Sequence, residues 1–492
     1  MQLVEIAGYG VNATTIQNHQ PSAAVIEPHY GILTINSMHT LSAQLRPASF
    51  DILRVQRVLE QIFQDYTGSV GLQFWDGKVI SLGRDSPDVT IIVHSTKLLS
   101  ELAWRPDPLR LAEAYFYGEI DVEGDLYALL MQRDHLPSLT LSIRARLAIL
   151  YTALITSSHS TPVRQNNESV RWSKPLQAIA AQKHSKAHNR EAIAFHYDVS
   201  NDFYRLWLDG QMVYSCAYFN DPAESLEVAQ VNKLDHICRK LRLKSGERLL
   251  DIGCGWGALI CRAAQHYGVQ AHGITLSQQQ YEYTQAKIRG MGLEKQVTVD
   301  LRDYRDLPEE AIFDKVSSIG MFEHVGIKNL PNYSSIVHRV LKPGGLFLNH
   351  GITDNEEGKQ KSVGNEFIKR YVFPDGELDS VSNVQRVMEQ TGFEICDVEA
   401  LRPHYALTLR HWVKRLEAQR IEALKHVSEA TYRVWRLYMA ACALQFESGA
   451  IGIYQILAVN KAGGLVGLPL TRHDIYQRNP DEPCDSGEKQ IM

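Results

Sequence analysis

LLDIGCGWG, from Leu249 to Gly257, is followed at once by the helical pattern ALICRAAQHYG. Leu249, Leu250 and Ile252 form a short apolar strand that carries Asp251, and Gly253, Gly255 and Gly257 then occupy alternate positions. A strand that runs through glycines into a helix presents the N–H groups of the helix start, and the missing side chains let a ligand approach them closely. The stretch predicts a nucleotide cradle at the first turn of an α/β unit.

The spacing is DxGxGxG rather than the dinucleotide pattern GxGxxG, and no GK[ST] follows to hold a triphosphate. That turns the reading from NAD or ATP toward S-adenosylmethionine. Downstream, VQAHGITLS reads as a second strand ending at Thr275, Leu276 and Ser277, and QQQYEYTQAKI as the next helix. VTVDLRDYRDL gives a third strand ending at Asp303 and Tyr304, FDKVSSIGMFEHVG a fourth and GGLFLNHGIT a fifth. Strands alternating with helices predict a parallel, doubly wound, Rossmann-like α/β sheet, whose ligands sit at the carboxyl ends of the strands. Those ends carry Gly253, Gly255, Thr275, Asp303, Tyr304, Glu323, His324 and His350. Two histidines beside a glutamate and a cofactor turn point to chemistry rather than to connections.

The chain has 492 residues, too many for one ordinary core. Hydrophobic content of 44% and charged content of 22% fit a globular protein. A net charge of -5 gives no global pull toward nucleic acid or anionic membrane, so electrostatic docking needs a local patch. The seven cysteines show no metal-ligand spacing, and no metal site is expected; a reduced, cytoplasmic setting is the simpler account. The N-terminus has no signal-peptide pattern, and the apolar stretch Leu139 to Ile155 is broken by Arg144 and Arg146. No membrane span is expected.

Residues 1–48 read as an extension of uncertain order. Residues 49–155 read as a small α+β domain: DILRVQRVLEQIFQDY has helical spacing, GLQFWDGKVISL is a hairpin around Asp76 and Gly77, and TIIVHS is a strand. In LAEAYFYGEIDVEGDLYALL, Tyr115, Phe116 and Tyr117 are expected to pack in its core. Residues 156–190 are polar and basic, with Lys174, Lys183, Lys186, His188 and Arg190, which suits either a solvated tether or a patch for anionic headgroups. Residues 191–473 hold the large α/β domain, and 474–492 form a polar tail.

HYDVSNDFYRLWLD with MVYSCAYF (His196 to Phe219), LLDIGCGWG, GITLSQQQY, GMFEHVG, LKPGGLFLNHGI, FIKRYVFPDGEL, PHYALTL and W-x-x-Y-x-x-x-C-x-x-x-F followed by YQ occur in that order. In these blocks the chain resembles the cyclopropane-fatty-acyl-phospholipid synthases, from about Phe50 to Lys461. The resemblance implies that S-adenosylmethionine donates a methyl carbon to a cis double bond of an unsaturated phospholipid acyl chain at a membrane surface. The enzyme would be peripheral to the membrane, and the smaller domain would either lie against the leaflet or pair two subunits.

By the same resemblance, Tyr214, Ser215, Asp251, Gly253, Gly255, Thr275, Leu276, Gln280, Asp303 and Tyr304 would hold the cofactor. Cys216, Glu323, His350, Ile352 and Tyr405 would hold a bicarbonate ion that takes a proton from the added methyl so that the ring closes. An alkene is a weak nucleophile, so such a site must align the sulfonium methyl with the π bond in a dry pocket, and aromatic faces would steady the resulting carbocation. The block from Phe373 to Asp379 departs from the FPGG-Leu-Pro pattern common in the family, which leaves lipid preference open. A methyltransferase that adds a methyl branch or acts on a small molecule, and a non-enzymatic lipid carrier, are the competing readings.

Overall fold

The structure is a computed structural model and describes residues 66–132 with short gaps, 199–354, 371–372, 376–461 and 467–476. The extension 1–48, the helix expected from Asp51, the stretch Leu139 to Ile155, the basic linker and the tail beyond Tyr476 lie outside the described residues.

In the smaller region, β1 (Ser69–Gln73) and β2 (Val79–Gly83) form the expected antiparallel hairpin, with Gly77 at φ 80° in its turn. β3 (Val89–Val93) joins β1 in parallel, and β4 (Ile120–Gly124) pairs antiparallel with β3. Helices α1 (Pro108–Phe116) and α2 (Leu126–Met131) each begin at an aspartate, Asp107 and Asp125, whose carboxylate accepts a backbone N–H of the first turn. Tyr115 and Phe116 are buried as expected, and Tyr117 is half-buried.

The larger region begins with α3 (Asn201–Arg205) and α4 (Leu226–Lys240) and then enters the sheet: β5 (Arg248–Ile252), α5 (Ala258–Tyr267), β6 (Gln270–Thr275), α6 (Gln278–Gly290), β7 (Val297–Leu301) and β8 (Phe313–Ile319). Helices α7 (Phe322–Val325) and α8 (Leu330–Val340), β9 (Leu341–Asp354), α9 (Val381–Gln390) and β10 (Phe393–Ala400) follow. The chain continues through α10 (Arg402–Ala418), α11 (Arg420–His426), α12 (Glu429–Ser448), β11 (Ile451–Asn460) and α13 (His473–Tyr476). The seven strands lie in the order β10-β11-β9-β8-β5-β6-β7. Strand order reverses at β5, with β6 on one side and β8 on the other, so the crevice at the carboxyl ends of β5 and β8 is the switch point where α/β sheets take their ligands.

Two expectations are corrected. The third strand stops at Leu301, and Asp303 instead caps a short turn by accepting the Arg305 N–H at 2.9 Å. The sheet is also mixed: β11 runs antiparallel to both β9 and β10. Strand-helix alternation could not reveal this pair, because two long helices and a short one separate β10 from β11.

α4 and α5 cover one face of the sheet through Leu234, Ile237, Ala263, Leu249, Leu348 and Leu457. α8 and α9 cover the other through Val337, Val384, Leu250, Phe347 and Phe393. A third cluster joins the smaller region to α10 and α12 without a break, running from Val70 and Phe116 to Trp207, Trp412 and Trp435. Polar contacts reinforce that junction: Arg433 donates to the Tyr115 and Ile120 carbonyls at 2.8 and 3.2 Å, and Tyr371 donates to Glu113 at 2.7 Å. Among the described residues, no helix is long and apolar enough to cross a membrane.

Candidate active site

All ten residues expected to hold the cofactor line one cleft of about 1130 Å³, counting its open mouth. They reach it from several directions. Gly253 and Gly255 follow β5, Thr275 ends β6 and Leu276 follows it, Gln280 lies in the first turn of α6, and Asp303 and Tyr304 follow β7. Tyr214 and Ser215 come from an extended segment pinned by α4, whose Gln230 amide donates to the Val213 and Ser215 carbonyls at 3.4 and 3.0 Å.

The three glycines do different work. All adopt left-handed backbone angles, with φ of 80°, 55° and 77°. A Cβ at Gly255 would meet no heavy atom within 4 Å and would project into open space, so the turn has the bare backbone that a close ligand needs. At Gly257 a Cβ would come within 2.5 Å of Thr284 Cγ2, so that glycine is required for packing α5 against α6. The cradle fits S-adenosylmethionine in its chemistry too. Where dinucleotide folds place an acid for the ribose, this chain has Thr275 and Gln280, joined by a 2.8 Å hydrogen bond. Arg305 grips Asp303 with two donors at 2.8 and 2.6 Å and so fixes that carboxylate at the edge of the cleft.

Cys216, Glu323, His350, Ile352 and Tyr405 lie apart from the cleft lining. Glu323, one turn beyond β8, accepts the Ile352 N–H on Oε1 at 2.6 Å, while its Oε2 is buried without a partner. Burial pushes its carboxyl up to about 7, against the pull of those backbone donors. His350 stands two residues before Ile352 on β9. The Gln455 amide faces His350 Nδ1 at 3.3 Å and can only donate, so the ring proton belongs on Nε2, which is buried and unpartnered. Burial, with the ammonium groups of Lys233 and Lys240, holds this imidazole well below its usual range and hence neutral.

Cys216 and Tyr405 join this set through Leu401. Cys216 Sγ lies 3.3 and 3.8 Å from the Ala217 and Leu401 carbonyls, the Tyr405 N–H donates to the same Leu401 carbonyl, and the Leu401 N–H reaches Ile453, the strand partner of Ile352. Burial raises the Cys216 thiol far above neutrality, so it stays protonated and is no nucleophile. The expected aromatic faces are present as a cluster in which Tyr214 packs 5.2 Å from Trp412 and 5.4 Å from Trp207. Of that cluster Tyr214 and the buried Trp256 line the cleft, and Trp207, Trp412 and Trp435 lie in the core behind them.

Sequence reading missed several residues that touch these two sites. Lys233 and Met321 also line the cleft, as does His324, which the strand-end reading named without assigning it to the cofactor. Gln455 was visible only as part of a motif, yet it orients His350 and sits opposite Glu399 on β10. Glu399 in turn bonds His236 at 2.8 Å and pairs with Lys240. Burial opposes its ionisation, but those two partners hold its carboxyl down at about 2. The signal for Lys233 and Lys240 was their place on the apolar stripe of α4, where a lysine is out of character.

A switch-point cleft with a bare glycine turn, on a seven-stranded Rossmann-like sheet, defines an S-adenosylmethionine-dependent methyltransferase. The comparisons narrow the class. The profile described as mycolic acid cyclopropane synthetase matches residues 184–456, and one described as a domain of unknown function matches 55–134. The chain belongs to the cyclopropane synthetase family. It is 43% identical over 409 residues to a probable fatty acid methyltransferase of Pseudomonas putida, covering 82% of this chain and 96% of that one. It is 41% identical over 264 residues to the cyclopropane-fatty-acyl-phospholipid synthase of Escherichia coli K12, covering 53% and 66%. The solved mycolic acid cyclopropane synthase CmaA1 complexed with SAH and CTAB aligns with a TM-score of 0.52 and 36% identity, over 55% of this chain and 98% of that one.

Proposed function

We propose that this enzyme transfers a methylene from S-adenosylmethionine to the cis double bond of an unsaturated phospholipid acyl chain and closes a cyclopropane ring. The observation that carries the reading is a pair of buried, unpartnered atoms, Glu323 Oε2, an acceptor once its carboxyl ionises above about 7, and the donor His350 Nε2. Buried polar atoms without partners are costly, and transfer of a methyl to an alkene gives them a use, because the cation it leaves must shed a proton. In ring closure that proton leaves the newly added carbon.

A bound bicarbonate fits this donor set: Glu323 Oε2 would accept its O–H and His350 Nε2–H would donate to a second oxygen, with Cys216 and Tyr405 as walls. Bicarbonate would supply the proton acceptor, and S-adenosylmethionine, when bound, supplies the electrophilic methyl. The chain's own part is positioning. Gly253 and Gly255 admit the cofactor to the backbone, Tyr214 and Trp256 present aromatic faces where positive charge develops, and neutral His350 donates without adding a charge. The lipid would be reached from the membrane surface by a peripherally bound protein.

The Pseudomonas putida relative favours a second reading, in which a methyl branch replaces the ring. The two separate on incubating the enzyme with vesicles of unsaturated phospholipid and a trideuteromethyl cofactor. A product that gains a methylene, has lost one deuteron and resists ozonolysis supports cyclopropanation. A branched product, or one that still cleaves with ozone, overturns it.

A further inference from the structure

Lys233 sits on the buried stripe of α4 and is only 2% exposed. Its Nζ donates to Ser215 Oγ at 2.8 Å, and its side chain forms part of the wall of the cofactor cleft. Two helical turns further along the same face, Lys240 is equally deep but meets two carboxylates, Glu399 and, at 3.2 Å, Asp397. Lys233 has no carboxylate within ion-pair distance among the described residues. The carboxylates that act on it from farther off belong to Asp209 and Asp251, and both are engaged elsewhere. Asp209 accepts the Gln211 and Val213 N–H groups, each at 2.8 Å, and Asp251 Oδ1 accepts the Ser317 hydroxyl at 2.7 Å.

An ammonium buried without a countercharge is strongly disfavoured unless a ligand supplies one. S-adenosylmethionine carries a single carboxylate, on its methionine end. Asp303 and Tyr304 stand at the β7 side of the cleft, whereas Lys233 and Ser215 stand on the α4 side beside Asp251. We propose that Lys233, with Ser215 as its hydroxyl partner, is the receptor for the carboxylate of the cofactor's methionine end. This rests on the cleft being the S-adenosylmethionine site.

The test is calorimetric titration of the full chain with S-adenosylhomocysteine and with 5′-methylthioadenosine, which shares the adenosine and thioether but lacks the amino-acid end. Lys233→Met is expected to weaken S-adenosylhomocysteine by about 10- to 100-fold, as loss of a hydrogen bond to a charged group implies, and to leave methylthioadenosine within about twofold. Lys233→Gln, which keeps a donor for Ser215 without the charge, should show the same split. Unchanged methylthioadenosine binding also reports that the variant is folded. Equal weakening of both ligands in both variants, or weakening of neither, overturns the proposal. So does a change confined to the bicarbonate dependence of turnover, which would move the partner of this charge to the other anion site. If the unaltered protein binds neither nucleoside, the reading of the cleft falls and the proposal falls with it.

Discussion

The cofactor cleft and the Glu323–His350 set stand next to each other, since Met321 and His324 of the cleft flank Glu323, yet they are built by opposite means. The cleft is organised by short motifs at strand ends: Gly253 and Gly255 in left-handed conformation after β5, a hydroxyl and an amide after β6, and a short turn after β7. The second set is mostly side chains, drawn from the loop after α3, from α7, β9 and α10, and oriented by Gln455 from the last strand. A cradle built on a glycine turn survives many side-chain changes, whereas a side-chain set depends on each member's neighbours. Faults in the two should therefore appear in different measurements, the first in cofactor binding and the second in chemistry.

The largest separation is expected from Glu323→Gln. It keeps the size of the side chain and can keep an acceptor for the Ile352 N–H, but it removes the ionisable group. Ring formation should fall by about 10²- to 10⁴-fold, the usual range for loss of a proton-handling group, while S-adenosylhomocysteine affinity stays within about twofold. Turnover and calorimetry on the same preparation check this, and a parallel loss of both would merge the two sites. The same variant should alter stability. Burial raises the Glu323 carboxyl from its ordinary 4.5 to about 7. The native state therefore retains a proton that the unfolded chain releases, and its contribution is full below about 4.5 and is lost as pH rises through about 7. Denaturant titrations across that window should show a shallower decline in the variant.

Next in size is Gly255→Ala. At φ 55° a Cβ costs on the order of 1 kcal/mol in backbone strain, and here it also projects into the open cleft. S-adenosylhomocysteine should bind about tenfold more weakly or worse, with turnover at saturating cofactor largely kept. A Gly255→Ala protein that bound normally but turned over slowly would invert the comparison.

The same contrast governs what could be read from the chain. The first five strands of the large sheet and the glycine turn were legible because each follows from a local period or from a short motif at a strand end, whereas Tyr214, Ser215 and Gln280 were legible only through the family's ordered blocks. Asp303 shows the limit of that reading: its place at the cleft was evident, but its being a cap gripped by Arg305 depends on a turn that strand periodicity does not report. β10 and β11 were not legible, since long helices lie between them and β11 reverses the sheet direction. Lys233 and Gln455 escaped for a related reason. Their partners, Ser215 and His350, are distant in sequence, and only the folded sheet and the seating of α4 bring them together.

The smallest expected effect concerns α12, which faces both regions at once. Trp435 packs against Tyr214 behind the cleft, while Arg433 reaches into the smaller region, donating to two carbonyls, pairing with Asp121 at 2.6 Å and lying 5.2 Å from the Tyr115 ring centroid. Arg433→Met keeps the apolar stem and removes these polar contacts, two of them to carbonyls with which methionine cannot bond. Loss of such hydrogen bonds costs about 1–3 kcal/mol, so the protein should unfold at a lower denaturant concentration. S-adenosylhomocysteine affinity should stay unchanged, because α4, not the smaller region, grips the Tyr214–Ser215 segment through Gln230 and Lys233. Weakened cofactor binding in this variant would instead make the smaller region a support of the cleft wall, with α12 as the element that transmits it.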